Sequence, residues 1–126
     1  MCVAVDKIVT VVKIPQMRDE PLSIDDLGVQ NGVRVLRLSG PLTIGTLYQF
    51  QDMVRTESSA SLTLDFTKVP YVDSAGVGAL VGAYVRHQKA GHSLTLAGVN
   101  ERVRNTLKVT QVDGFFTYRD SVPQPA

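Results

Sequence analysis

The sequence predicts an α/β fold, a single-layer mixed, mainly parallel β-sheet with helices packed mainly on one face. Segments whose apolar residues alternate at every second position are followed by segments in which they recur every three to four positions. Such alternation of strands and helices favours parallel pairing through right-handed crossovers, which place the helices on the sheet. The length of 126 residues suits one compact domain with one core.

The chain divides into three parts. We assign residues 1–21 to an N-terminal extension, residues 22–120 to the domain and residues 121–126 to a loose tail. The extension is rich in Val and Ile and then breaks at Pro15 and a charged "RDEP". This pattern indicates an extra strand or an interaction arm.

The domain begins with a hairpin and a helix. In "SIDDLGVQNGVRVLRLSG" two β-like runs flank Asn31-Gly32, a dipeptide whose tolerance of positive φ suits a tight turn. In "LTIGTLYQFQDMVRTE" the apolar residues lie near one helical face, and Thr43 is available as the N-cap. The apolar face comprises Ile44, Leu47, Tyr48 and Val54. We therefore expect a helix that buries Tyr48.

Two further pairs of a strand and a helix follow. "SLTLDF" alternates as a strand does, and from Ser74 the period changes to that of a helix on a sheet, with Gly91 as its C-cap. The apolar stripe of this helix comprises Val77, Leu80, Val81, Tyr84 and Val85. "SLTLAGV" predicts the next strand, "NERVRNTLKVTQV" a third helix capped by Asn100, and "FFTYRD" a short last strand.

Composition argues against several classes of function. A formal net charge of +1 supplies no field that would steer nucleic acid. No apolar run approaches the ~20 residues of a membrane span, and Asp6 and Lys7 interrupt the start where a secretory signal would be apolar. Cys2 has no second cysteine to pair with, which favours a reducing compartment. We expect a cytoplasmic monomer or weak homodimer that binds no nucleic acid and does not insert into a membrane.

The segment "YVDSAGVGAL" contains the candidate site. Ser74 is placed as the N-cap of the central helix, where its oxygen would accept a hydrogen bond from a first-turn amide. Capping does not account for Gly76 and Gly78, each of which costs about 0.8–1 kcal/mol relative to alanine in a helix and so indicates close approach of another backbone or molecule. A phosphoryl group on Ser74 would bring about −1.5 to −2 charges to the positive end of the helix, directly beside Asp73. From the residues alone, a structural cap and a regulated docking site are equally good interpretations.

The stretch "LTLDFTKVPYVDSAGVGALVGAYVRHQKAGHSLTLAGVNERVRNTL" resembles a STAS domain, the fold of bacterial anti-sigma factor antagonists, also found at the ends of sulfate transporters. The resemblance runs from about Gly32 to Phe116. In antagonists of this family, an anti-sigma factor that is itself a kinase phosphorylates the hydroxyl residue after the Asp, and the resemblance implies that Ser74 is this acceptor. The unphosphorylated form binds the anti-sigma factor and frees the sigma factor, and phosphorylation ends binding. ATP and magnesium belong to the partner, so no cofactor is expected here.

The resemblance also implies a partner-binding surface around Ser74. We assign to it Thr43, Asp65, Asp73, Ser74, Ala75, Gly76, Val77 and Gly78. Antagonists usually carry Gly-Glu-Leu-Asp after the second strand, whereas this chain has "GPLT" at residues 40–43, a form closer to transporter-linked STAS domains. The alternative is therefore an accessory subunit of a transport ATPase, which binds its partner without a phosphorylation cycle.

Catalysis and metal binding are less favoured. Val72 stands where a Gly-x-Ser-x-Gly elbow would have its first glycine, so we assign no catalytic residue. No Gly-x-x-x-x-Gly-Lys loop supports a phosphate cradle. His87 and His92 bracket the end of the central helix, where a cationic side chain suits the negative helix terminus. Two histidines alone are a weak basis for a metal site, so we expect none.

Overall fold

The structure is a computed structural model that describes residues 21–122. Within this range five strands form one sheet in the order of the chain. The strands are β1 (Ser23–Gln30), β2 (Val33–Ser39), β3 (Ser61–Lys68), β4 (Ser93–Ala97) and β5 (Thr117–Arg119). The helices are α1 (Leu47–Thr56), α2 (Ser74–Lys89) and α3 (Glu101–Val109), and a 3-10 turn covers Asp113–Phe115.

Pairing in the sheet is mixed, as predicted. β1 runs antiparallel to β2, and β2, β3, β4 and β5 pair in parallel. The β1–β2 turn is made by Asn31 and Gly32, whose φ angles of 55° and 80° are the positive values that a tight hairpin requires. The fold class is confirmed. The extra strand or arm expected in residues 1–20 lies outside the described residues, as do the last four residues of the expected tail.

One face of the sheet carries the hydrophobic core. Leu36, Leu64 and Leu96 sit side by side on β2, β3 and β4 and are almost fully buried. The helices add buried side chains to the same cluster, among them Phe50, Leu80 and Leu107. All three helices contribute to the core on this face. Because α1 follows β2 and α2 follows β3 in the chain, the loops after these two strands lead from their carboxyl ends to the starts of α1 and α2.

Helix α1 begins later than the sequence predicts. The amides of Thr46 and Leu47 both donate to the carbonyl of Thr43, so residues 43–46 form a turn and the helix starts at Leu47. Thr43 is therefore not the N-cap. Because Ile44 lies in the turn and Tyr48 faces away from Phe50, Ile44 and Tyr48 are 64% and 70% exposed, and the prediction that they join the core is wrong.

Helix α2 buries smaller side chains in the core than the sequence predicts. Val77 and Leu80 are buried as predicted, but Ala83 and His87 continue the buried face, and Val85 is 39% exposed. His87, predicted to serve the negative end of the helix, is instead part of the buried face. Among residues 21–122 no helix has the length and apolar character needed to cross a membrane.

Candidate functional site

The candidate site lies where the loops after β2 and β3 run side by side. Leu42 and Val72 form an isolated parallel bridge, the amide of Leu42 donates to the carbonyl of Tyr71 at 3.2 Å, and the amide of Asp73 donates to the carbonyl of Leu42 at 3.2 Å. These bonds hold the start of α2 against the loop that precedes α1. In open α/β sheets the crevice beyond the carboxyl ends of the strands is the usual place for binding.

Asp73, rather than Ser74, is the N-cap of α2. Its backbone is extended, and its Oδ1 accepts a hydrogen bond from the Gly76 amide at 2.8 Å. The other oxygen, Oδ2, accepts from the amide of Ile44 at 3.0 Å. The predicted capping role of Ser74 is therefore wrong, because the carboxylate one residue earlier reaches both the helix amide and the neighbouring loop.

Ser74 is the first residue of α2, and its side chain is exposed. No group within residues 21–122 makes a hydrogen bond with its hydroxyl. The hydroxyl stands at the positive end of a 16-residue helix, a position that favours an anionic group. Because Asp73 already caps the helix, the chemistry of Ser74 can change without removing the cap.

The two glycines of the motif have different environments. A Cβ on Gly76 would lie 2.1 Å from the carbonyl oxygen of Leu42, so glycine is required for the close approach of α2 to the loop. A Cβ on Gly78 would have no other heavy atom within 4 Å. The close approach expected of both glycines is thus internal at Gly76, whereas packing inside the described domain does not explain Gly78.

Three of the other predicted partner-binding residues lie partly or fully inside the protein rather than on its surface. Val77 and Thr43 are buried, Ala75 is partly buried, and the Thr43 hydroxyl accepts from the Gly45 amide at 3.2 Å. Ile44 was expected in the core, but its exposure and its bond to Asp73 place it beside Ser74. The sequence contains a signal for this, since Pro41 and Gly45 flank a segment that would otherwise be read as helical.

Asp65 does not lie on this exposed surface. Its side chain is 1% exposed and accepts hydrogen bonds from Arg37 Nε at 2.8 Å, the Thr67 hydroxyl at 2.7 Å and the Thr67 amide at 2.9 Å. Burial acts to raise the pKa of Asp65, but the bonds from Thr67 and Arg37 together outweigh it and lower the pKa. Asp65 is thus a buried ionised group that stabilises the middle of the sheet.

The part of the chain that the structure describes offers few ligands for a metal. No group of three or more His, Cys, Asp or Glu side chains is arranged there to hold an ion. His87 lies thirteen residues after Ser74 on α2, about 20 Å away at the helical rise per residue. Neither histidine is therefore positioned to act as a base for Ser74.

Comparison with known proteins agrees with this architecture. The family model of the STAS domain matches residues 26–124. An anti-sigma factor antagonist from Mycobacterium paratuberculosis is similar in structure, with a TM-score of 0.70 and 18% identity over 80% of this chain and 87% of that chain. A sulfate transporter family protein from Wolinella succinogenes has a TM-score of 0.67 and 23% identity over 75% of this chain and 81% of that chain. The Bacillus cell fate determinant SpoIIAA in its phosphorylated form has a TM-score of 0.57 and 16% identity over 76% of this chain and 90% of that chain.

Proposed function

The chain belongs to the STAS domain family, and we propose that it acts as an anti-sigma factor antagonist, a regulatory binding protein that phosphorylation of Ser74 switches off. The partner in this proposal is an anti-sigma factor of the serine kinase type in the cytoplasm. The partner supplies ATP and magnesium, so this protein is a phosphoryl acceptor and a binding module rather than an enzyme.

The observation that carries the proposal is the exposed, unbonded hydroxyl of Ser74 on a rigid base. A kinase must bring the acceptor oxygen in line with the transferred phosphoryl group, so it needs a hydroxyl that is accessible and not already engaged. Ser74 meets both conditions within the described residues. Asp73 and Gly76 fix the backbone on either side, so modification changes the charge of the surface and leaves the helix start in place.

The electrostatics of the site explain how phosphorylation would end binding. Both oxygens of the Asp73 carboxylate already accept from amides, and one of these amides belongs to Ile44, whose apolar side chain is exposed. A phosphate on Ser74 would place about −1.5 to −2 charges near this apolar side chain. A partner that buries Ile44 would then have to desolvate the phosphate or lose contact, and a loss of about 1.4 kcal/mol already weakens binding tenfold.

A second candidate function is an accessory subunit of a transport ATPase without a phosphorylation cycle. Two observations favour it. Thr43 stands where antagonists usually carry an acid, and it is buried in the turn before α1, where it shapes the loop. A sulfate transporter family protein also shares the fold. This candidate requires the same exposed surface at the start of α2 but no modification of Ser74.

The test uses the full chain purified from its native cells. Intact mass and phosphosite mapping measure whether Ser74 carries a phosphate, and affinity capture identifies the partner. The partner is then titrated with wild type, Ser74→Asp, Ser74→Ala and the control Ser93→Asp, which alters an exposed serine at the start of β4, at the other end of the sheet. We expect Ser74→Asp to bind at least tenfold more weakly and the other two variants to bind as wild type does.

Two results would count against the proposal. Equal affinities for wild type, Ser74→Asp and phosphorylated protein would show that charge at Ser74 does not control docking. A transport ATPase as the captured partner, with no phosphate on Ser74, would favour the second candidate.

A further inference from the structure

The sheet has a second face, opposite the one on which α1, α2 and α3 pack. Along each strand the side chains alternate between the two faces, and Leu36, Leu64 and Leu96 belong to the core beneath the helices. The residues between and beside these leucines therefore point the other way. The centre of this second face is formed by Val35, Thr63, Asp65 and Ala97.

The centre of the second face is shielded from solvent. Val35 and Ala97 are each 0% exposed, and Thr63 and Asp65 are 2% and 1% exposed. Val35 and Ala97 nevertheless lie outside the hydrophobic cluster that the helices form with the sheet. As a result residues 62–66 of β3 are buried without a break, whereas a strand with one solvated face alternates between buried and exposed residues. This is the burial pattern of a sheet covered on both faces.

Neighbouring side chains on the second face explain only part of this burial. Arg37 bonds to Asp65, and Arg119 lies in the same row of residues across the sheet, so these two long side chains shield that row. Val35 stands in the next row, between Thr63 and the bulge of β1. Side chains of a strand stand roughly perpendicular to the sheet, so these neighbours flank Val35 without covering it. A further layer of chain is needed above it.

We propose that residues 2–14 of the N-terminal extension pack on the second face. Nine of these thirteen residues are apolar, and seven of the nine are Val or Ile. β-Branched side chains pack well against a pleated surface, and a segment of this composition is stabilised by leaving water. The extension is then a second layer of the domain rather than an arm that projects from it.

The path of the chain permits this arrangement. The described chain starts at Pro21, whose carbonyl oxygen packs so closely against Gly40 that it leaves no room for a Cβ there. Gly40 follows the end of β2, and Val35 lies five residues earlier, about 17 Å away at the rise of a strand. The connector of residues 15–20 spans about 20 Å when extended, which is enough to place residue 14 over Val35.

Burial favours the second face over the surface at the start of α2 as the place where the extension packs. Ser74 is exposed and Ile44 is 64% exposed, whereas Val35 is completely shielded. The extension therefore leaves the Ser74 surface open to a partner, and the proposal does not depend on the proposed function.

The first test is NMR spectroscopy of the full chain with labelled methyl groups. We expect nuclear Overhauser effects between methyl groups of residues 2–14 and those of Val35 and Ala97. Ile44 is the internal control, since its exposed methyl groups near Ser74 should show no such contact with residues 2–14. A mixture of labelled and unlabelled chains distinguishes contacts within one chain from contacts between two copies.

The second test is the double substitution Ile8→Asp and Val9→Asp, which places a charge on both sides of an extended segment. We expect it to raise the ratio of unfolded to folded protein at least tenfold in urea denaturation, because the charges disrupt the packing on the sheet. Val109→Asp is the matched control, since Val109 is 69% exposed on α3 and its replacement should change this ratio little. The wild-type NMR contacts carry the conclusion if the double variant does not fold.

Three results would overturn the proposal. They are the absence of contacts between residues 2–14 and the second face, contacts that arise only between two copies, and a double variant as stable as Val109→Asp.

Discussion

Replacing Gly76 and Gly78 separately by alanine tests how α2 is seated against the β2–α1 loop. In Gly76→Ala the new Cβ would lie 2.1 Å from the oxygen and 2.9 Å from the carbon of the Leu42 carbonyl, so the helix or the loop must move. Overpacking of this kind costs about 1–3 kcal/mol, and the shift also strains the bond from the Asp73 amide to Leu42. The gain of about 1 kcal/mol in helix propensity offsets only part of this.

Gly78→Ala is the matched control, two residues further along the same helix. Its Cβ would have no other heavy atom within 4 Å, so only the propensity gain of about 0.8–1 kcal/mol remains and the variant becomes more stable. Urea denaturation followed by far-ultraviolet circular dichroism measures both free energies of unfolding, with equal m-values as the check on two-state behaviour. Shifts of the same sign and size in the two variants would refute the assignment of Gly76 to an internal contact.

Three further predictions concern side chains that hold the site and the sheet. Asp73→Ala removes the α2 cap and should lower the free energy of unfolding by about 1–2 kcal/mol. It should also speed hydrogen exchange at the Ile44 and Gly76 amides, and unchanged exchange at both would contradict the bonding described. Asp65 has a lowered pKa, so its contribution to stability is present above the unfolded value near pH 3.9 and is lost as the pH falls through the folded value. Asp65→Asn should therefore lower the free energy of unfolding by about 1–3 kcal/mol at neutral pH, a range kept low because Arg37 is 34% exposed. The stability of this variant should also depend less on pH in acid than that of the wild type. An equal dependence on pH in acid would contradict this. Burial raises the pKa of Tyr118, whose hydroxyl donates to the Asp113 carbonyl at 2.8 Å, so the wild type should lose stability as the pH rises through that value. Tyr118→Phe should lower the free energy of unfolding by about 1 kcal/mol at neutral pH, and its stability should not fall further at alkaline pH as that of the wild type does. If all the tyrosines ionised together in an absorbance titration of the wild type, the raised pKa of Tyr118 would be contradicted.

The sheet and most of its elements follow from local sequence patterns. The two-residue period of the strands, the Asn31-Gly32 turn and the Asn100 cap each act over a few residues, and each is found in the structure. The Asn100 side chain accepts from the Val103 amide at 2.7 Å, as an N-cap does. Features of this kind are predictable because the residues that form them are close together in the sequence.

The candidate site was predicted less well because contacts between distant segments build it. Asp73 captures the amide of Ile44, twenty-nine residues earlier, and Gly76 fits beneath the carbonyl of Leu42. No local pattern reveals that this carboxylate, rather than the neighbouring hydroxyl, caps α2. Tyr48 is exposed because α1 turns Leu47, Phe50 and Val54 toward the core instead.

The double hydrogen bond of Asp73 also bears on the kinetics of recognition. One carboxylate ties together two loops that would otherwise be free to sample separate arrangements, so the recognition surface is assembled before any other molecule arrives. Encounter then requires little ordering of the backbone, and the entropy that a partner must overcome is mainly that of its own side chains and of rigid-body motion. Complex formation should accordingly be fast, with lifetime rather than capture rate setting the strength of the complex.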